Sequence, residues 1–319
     1  MEPKNPSSSA QPTDYIFQLA APATFDRGGE EIYFAARASG LFRSGDGGQT
    51  WESAYASLEA RQTLPTTAIA LAPDFIHEPT VFAGLNGAIL RSYDGGINWQ
   101  RSRLPTPPPA ISALVVSPDF SEDGMVFAGT NEDGVLVSTD RGQSWVSWNF
   151  GLLDLNILCL AISPDFSADE TVYAGAESGL FRSTNGGRAW KEVTLPIGFD
   201  AVISLAISPR FAQDNTLFVG TENKGLLISR DRGKSWAQPT GFTSEAPVNQ
   251  ILFSPASQTS KEMLMLHGGT ILVSSNGGKT WKPWQVRKLG GRNITAVLAH
   301  PGIGKGVLVG FEDGSTIRI

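Results

Sequence analysis

The chain has 319 residues, 41% hydrophobic and 18% charged, with a formal net charge of −6. That apolar content supports a sizeable core and excludes a disordered chain, and the negative charge argues against nucleic-acid binding through the bulk field. The charge is uneven: residues 261–319 hold eight Lys/Arg and three Asp/Glu, so the first 260 residues carry −11. The single cysteine, Cys159, precludes an intrachain disulfide, and its apolar surroundings (157–162) read as a buried, inert thiol.

The N-terminus, MEPKNPSSSAQPTD, is Pro/Ser-rich and lacks an apolar signal-peptide core. Residues 1–13 are expected to be a disordered tail, residues 14–319 a single domain, and the location cytoplasmic. No run of about 18 apolar residues occurs, so no membrane span is expected.

From there the chain repeats itself. Trp51, Trp99, Trp145, Trp190, Trp236 and Trp281 follow one another at intervals of 48, 46, 45, 46 and 45 residues. Each closes the same octapeptide, from Ser44-Gly45-Asp46-Gly47-Gly48-Gln49-Thr50-Trp51 to the last copy, SSNGGKTW. The acidic position is Asp46, Asp94, Asp140 and Asp231, with Asn185 and Asn276 substituting. A second marker is a proline ending an apolar run: Pro73, Pro118, Pro164, Pro209, Pro255 and Pro301, with Pro22 as an upstream copy. Two markers with one period define one structural unit.

Within a unit the order is constant. In the third copy, strand A is 114–118, a polar turn covers 119–124, strand B is 125–129, Asp133-Gly134 makes a hairpin, and strand C is 135–138. The octapeptide turns the chain into strand D. Four short strands cannot bury both faces of a sheet alone, so neighbours must stack and the array must close. The fold expected is all-β, a seven-bladed β-propeller of four-stranded antiparallel sheets. The seventh copy has strand A at 294–301, strand B at 307–310 and strand C at 316–319, without octapeptide or strand D. Either the N-terminal tail supplies a rim strand there or the blade has three strands. The tail's prolines favour three.

The octapeptide resembles the Asp-box (BNR) repeat, found in photosystem II assembly-factor-like, sortilin-like and sialidase-like propellers and in xyloglucan-cleaving hydrolases. The resemblance implies a propeller over nearly the whole chain and a box that braces the scaffold. An acidic oxygen accepts turn N–H groups, glycines allow left-handed backbone, and Trp plugs apolar surface. Asn at two boxes fits a brace and not a catalytic acid.

Strand alternation puts the A–B turns and the boxes on one face, and the B–C turns and D–A loops on the other. The D–A loops are longer and more variable, so binding groups are expected there, over the channel mouth. Their aromatics are Trp148, Phe150, Phe199, Phe242 and Trp284. The last loop is basic, with Lys282, Arg287, Lys288 and Arg292, and 104–109 reads as a stiff polyproline spacer. The candidate binding residues are Trp148, Phe150, Lys282, Trp284, Arg287, Lys288 and Arg292. They suit a protein or peptide segment, an acidic one in particular, on a non-enzymatic scaffold such as an assembly or stability factor.

The alternative is a glycoside hydrolase or glycan-binding protein, with acid/base candidates Glu132, Asp133, Asp154, Glu177, Asp200 and Glu222. Against it, the sialidase-type Phe-Arg-Ile-Pro motif is missing. No catalytic residue is assigned. His77, His267 and His300 lack metal-ligand spacing, and the box glycines precede no helix, so neither metal nor other cofactor is expected.

Overall fold

The computed structural model describes residues 13–22, 31–240, 245–254, 261–303 and 306–319. Most of the expected tail, Phe242, Pro255 and the side chains of His300 and Pro301 lie outside what is described.

Seven antiparallel sheets follow in chain order. Blade 1 is β1–β4 (Ile16–Ala20, Tyr33–Arg37, Gly40–Ser44, Glu52–Ser53) and blade 2 is β5–β8 (Thr66–Leu71, Val81–Leu85, Ala88–Ser92, Gln100–Arg101). Blade 3 is β9–β12 (Ala110–Val116, Val126–Asn131, Val135–Ser138, Val146–Ser147) and blade 4 is β13–β16 (Ile157–Ile162, Val172–Ala176, Gly179–Ser183, Lys191–Val193). Blade 5 has β17–β19 (Val202–Ile207, Leu217–Thr221, Leu226–Ser229), and its fourth strand shrinks to a bridge between Ile228 and Ala237. Blade 6 is β20–β23 (Val248–Phe253, Met263–His267, Thr270–Ser274, Lys282–Pro283). Blade 7 is β24–β26 (Ile294–Gly302, Gly306–Phe311, Thr316–Arg318), a three-stranded blade as the seventh copy implied. Each inner strand packs on the next, and β24 packs back on β1, which closes the ring.

Burial follows radius. Strand B is buried along its whole length in blade 4 (Val172–Ala176), because a neighbouring blade covers each face, whereas strand D of blade 3 (Val146–Ser147) is exposed. A glycine in strand B admits the next inner strand. A Cβ on Gly129 would lie 2.7 Å from Ile157, and one on Gly310 would lie 3.0 Å from Ile16 at the ring's seam. Aromatic pairs fill the outer gaps between blades. Phe82 meets Phe120 edge-on at 5.8 Å, and Phe127 meets Phe166 at the same distance.

Side chains stitch six of the inner strands to the next one's backbone. Thr67 Oγ1 donates to Ile111 O (2.6 Å), Ser112 Oγ to Ile157 O, Cys159 Sγ to Val202 O (3.3 Å) and Ser204 Oγ to Val248 O (2.5 Å). Gln18 and Gln250 do the converse, accepting from Ile69 N (2.9 Å) and Val297 N (3.0 Å). Every inner strand also carries a β-bulge near its start, at the second residue (Phe17, Thr67, Leu158, Ile203, Asn249 and Thr295) or, in β9, at the third (Ser112).

Two local expectations change. The A–B turns of blades 3 to 5 wind into single helical turns, α1 (Phe120–Asp123), α2 (Phe166–Asp169) and α3 (Phe211–Asp214). The cause is a second brace. Ser117 Oγ donates to Asp123 Oδ2 (2.6 Å) while Asp123 Oδ1 accepts from Met125 N (2.8 Å), and Phe120 is buried beneath. The segment read as a polyproline spacer bends at residues 106–107, so it is not a continuous polyproline helix.

Candidate functional site

The two faces are distinguished by hydrogen bonds. On one face the box is tied to the A–B turn of its own blade: Gly47 N donates to Glu31 O, Gly95 N to Pro79 O, Gly186 N to Glu170 O and Gly277 N to Lys261 O, at 2.8–3.0 Å. On the other, B–C turns donate to D–A loop carbonyls, as Glu222 N does to Ala201 O and Gly268 N to Pro247 O.

Inside the box, Ser44 Oγ donates to Asp46 Oδ1 (2.8 Å) and accepts from Gly48 N (2.9 Å). Asp46 accepts from Thr50 N and Oγ1 and from Gln49 N. Those bonds, led by the Thr50 hydroxyl, hold its carboxyl down at about 2, and the bond from Ser235 does the same for Asp231. Asn185 and Asn276 keep the central acceptor, taking Ala189 N and Thr280 N at 2.9 and 3.0 Å. The Asp or Asn of each box is engaged in hydrogen bonds within its own turn.

Two box Trp residues tie their blade to the preceding one by a hydrogen bond. Trp99 Nε1 donates to Ala54 O (2.8 Å) and Trp190 Nε1 to Trp148 O (2.8 Å), the carbonyl three residues after the preceding box Trp.

Trp148 and Phe150 therefore belong to the rim between blades 3 and 4, not to the channel mouth. The half-buried Trp148 ring lies 5.7 Å from the Arg188 guanidinium of the blade 4 box, and Phe150 O accepts from Trp190 N (2.8 Å). The Phe150 side chain is 80% exposed.

The basic stretch lies at the junction of blades 6 and 7. Lys282 is exposed on β23, and Arg287 and Lys288 are exposed on the single turn α4 (Val286–Leu289), anchored by buried Leu289. Trp284 is half-buried against the cluster that includes Leu264, Ile317 and Ile319. Arg292 is engaged elsewhere: its guanidinium lies 3.4 Å from the Phe311 ring centre and donates to Ser315 Oγ (3.1 Å). Among the described residues Lys282, Arg287 and Lys288 form no ion pair.

The carboxylates weighed for acid/base work are structural where their bonding is defined. Asp154 accepts from Asn156 N (2.9 Å) and Ser178 N (2.7 Å). Asp200 accepts from Asn223 N, Asn223 Nδ2 and Lys224 N at 2.8–3.0 Å. Burial raises the Asp200 carboxyl, but those bonds outweigh it and leave a net depression, the opposite of what a proton donor needs. Glu132 and Glu222 sit on B–C turns whose N–H groups bond to Asn156 and Ala201. His77 bonds to Asp74 (2.9 Å), and no cluster of metal-ligating side chains occurs among the described residues.

Two grooves escaped the sequence reading. One, about 630 Å³, opens between blades 6 and 7, lined by Val273, Trp284, Ile303 and Ile319 together with the charged Glu262 and Arg318. The other, about 230 Å³, lies between blades 5 and 6 on the box face and gathers Arg210, Arg230, Lys261 and Lys279. The basic residues of the second are dispersed over two repeats and carry no local pattern.

Fold and boxes together define an Asp-box β-propeller of seven blades. Residues 146–297 match the family model described as photosynthesis system II assembly factor YCF48. The fold is similar to YCF48 bound to D1 peptide (18% identity, TM-score 0.68, covering 96% of this chain and 94% of that one). It is also similar to YCF48 from Cyanidioschyzon merolae (15%, TM-score 0.70, 97% and 96%). The GH74 xyloglucanase from Xanthomonas campestris shares it too (16%, TM-score 0.75), with 96% of this chain covering 52% of the enzyme, so the chain spans about half its length. No curated protein matches the chain in sequence. Among the described residues no helix is long and apolar enough to cross a membrane.

Proposed function

We propose that this propeller is a non-enzymatic scaffold that binds an acidic segment of a protein partner, as an assembly or stability factor does, in the cytoplasm. The observation that carries the reading is the stretch 282–288, where Lys282, Arg287 and Lys288 stand exposed beside Trp284, without ion pairs among the described residues, on a chain that is otherwise acidic. Arginine recognises carboxylates through paired hydrogen bonds, and an adjacent aromatic face adds apolar contact. The YCF48 structure with its D1 peptide supports a peptide as the type of ligand. The glycosidase reading has fold similarity behind it, while Asp154 and Asp200 are occupied in bracing turns.

The test is fluorescence anisotropy with a library of labelled acidic peptides, against the chain and its Arg287→Glu/Lys288→Glu variant. Binding should weaken at least tenfold in the variant and fall steeply as salt shortens the screening length below about 8 Å. Equal binding by both proteins, with unchanged melting, would falsify the assignment of the basic stretch.

A further inference from the structure

We infer that the groove between blades 5 and 6 on the box face binds a small aromatic acid. The ring sits where four other blades carry a phenylalanine, and the carboxylate meets the cations around the groove. The site is separate from the stretch 282–288 and does not depend on the peptide-binding reading.

In blades 2 to 5 the A–B turn sends a buried phenylalanine against an aromatic of the preceding blade's strand B. Phe75 meets Phe34, Phe120 meets Phe82, Phe166 meets Phe127 and Phe211 meets Tyr173, all edge-on at 5.8–6.3 Å. Two of these rings are also covered by an arginine of their own box, which pairs with a carboxylate of the preceding blade. Arg141 lies over Phe120 (5.3 Å) and pairs with Glu78, while Arg232 lies over Phe211 (4.9 Å) and pairs with Asp169 (3.3 Å). Blade 6 departs at both positions. The repeat sets Ser257 in the place of Phe211 and Gly277 in the place of Arg232. Residues 255–260, PASQTS, include no aromatic and no charged side chain, so this turn has neither a ring nor a counter-charge to offer. Phe218, the strand B aromatic at this junction, meets Phe253 of the next strand A instead (5.6 Å). Both rings, with buried Met263, line the groove of about 230 Å³.

The charge at this junction is reversed as well. Arg210 stands where blades 2, 3 and 4 have Asp74, Asp119 and Asp165, and Arg230, Lys261 and Lys279 join it around the groove. Asp214, the carboxylate of the lining, is engaged within its own turn by Ser208 Oγ (2.7 Å) and Thr216 N (3.0 Å), with Arg210 at 4.0 Å. Among the described residues Arg230, Lys261 and Lys279 form no ion pair, and Arg230 reaches only Gly277 O, at 3.5 Å. A neutral ring would gain nothing from these cations, and a small inorganic anion would leave the phenyl walls without a contact. A ring bearing a carboxylate uses both, edge-on to the phenylalanines and bonded to the arginines. The size suits one ring, since an apolar cavity of about 150 Å³ takes benzene.

The probe is 4-fluorophenylacetate, titrated against the full chain by fluorine NMR. Its controls are 4-fluorobenzyl alcohol, which has the ring without the charge, and trifluoroacetate, which has the charge without the ring. The probe should bind with a Kd of about 1 mM or tighter, and each control at least tenfold more weakly. Lys261→Ala/Lys279→Ala should weaken the probe at least fivefold. Ser257→Phe/Gly277→Arg gives blade 6 the two side chains of blade 5 and should abolish binding without lowering the melting temperature. Gly277 tolerates the arginine: its φ of 73° is close to the 60° and 62° of Arg141 and Arg232, and a Cβ there meets nothing within 4 Å. Arg287→Glu/Lys288→Glu should bind the probe as the parent chain does. The groove is overturned if the parent does not bind the probe, or if either control binds as tightly. Full binding by the lysine variant, or by the refilled variant with its melting intact, also overturns it. Should the refilled variant fail to fold, the lysine pair decides. Loss of the probe in the 287/288 variant moves the ligand to the basic stretch and likewise overturns the proposal.

Discussion

Trp51 and Thr316, 265 positions apart, close the ring: the indole Nε1 donates to the threonine Oγ1 at 3.0 Å. At two other junctions the carbonyl just past strand D, Ala54 O or Trp148 O, accepts this bond. Among the described residues blade 7 has no strand D, and a strand C side chain takes over. Arg318 and Glu31 form an ion pair across the same seam. A double-mutant cycle of Trp51→Phe and Thr316→Val should return a coupling of about 1 kcal/mol, the net worth of one partly buried hydrogen bond. Additive effects in chemical denaturation count against a closing role.

The boxes make the propeller acid-sensitive in a defined window. The folded-state values of Asp46 and Asp231, about 2, lie below the unfolded aspartate value of about 3.9. A depressed carboxyl stabilises the fold above the unfolded value, and that stabilisation disappears as pH falls through the folded value. Melting temperature should therefore drop between about pH 4 and pH 2. In Asp231→Asn the drop should be smaller, with little cost at neutral pH, because Asn185 and Asn276 already serve in this position. An equally steep profile in the variant would contradict the account.

The box tryptophans are not equivalent. Trp145 and Trp190 are both buried, but Trp190 Nε1 bonds to Trp148 O while Trp145 Nε1 has no protein partner. Truncating Trp145 to Ala should cost roughly 3–5 kcal/mol. Replacement by Phe separates packing from bonding, and Trp190→Phe should lose about 1 kcal/mol more than Trp145→Phe. Urea midpoints of the two Phe variants decide it.

Cys159 takes the place that Thr67, Ser112 and Ser204 hold in other blades. The residue is only partly buried as a whole, but its sulfur sits against Gly175 and donates to Val202 O, and burial pushes the thiol up to about 12. The native protein should be inert to an aromatic disulfide reagent and react only on unfolding. Cys159→Ser should be tolerated better than Cys159→Val, which leaves the Val202 carbonyl without its donor. Rapid labelling of the native chain would refute this.

The period of the box and proline markers made the blade count legible, because each repeat is one sheet and its turns are set by local residues such as Asp140 and Gly142. The missing octapeptide after Pro301 foretold the three-stranded blade. The site was less legible. Trp148 and Trp284 look alike in sequence, each three residues after a box Trp, yet one is covered by the next blade's box and the other is not. That difference lies in the folded neighbourhood of each ring: the Gly187–Arg188 turn of the blade 4 box packs on Trp148, and among the described residues no box packs on Trp284. The short helices after Pro118 and Pro164 escaped because a single turn of four residues, braced by a Ser–Asp hydrogen bond, is too short to show a helical apolar periodicity.

The bulge shared by all seven inner strands separates two kinds of constraint. Ladder pairing resumes on either side of Phe17, Leu158, Ile203 or Asn249, so none of these residues is needed to keep its blade in register. Their identities already range from aromatic to amide. The end of the channel beside the D–A loops can thus change its chemistry one residue at a time while the boxes and stitches hold the ring unchanged, which leaves one scaffold free to diverge toward new ligands without being refolded.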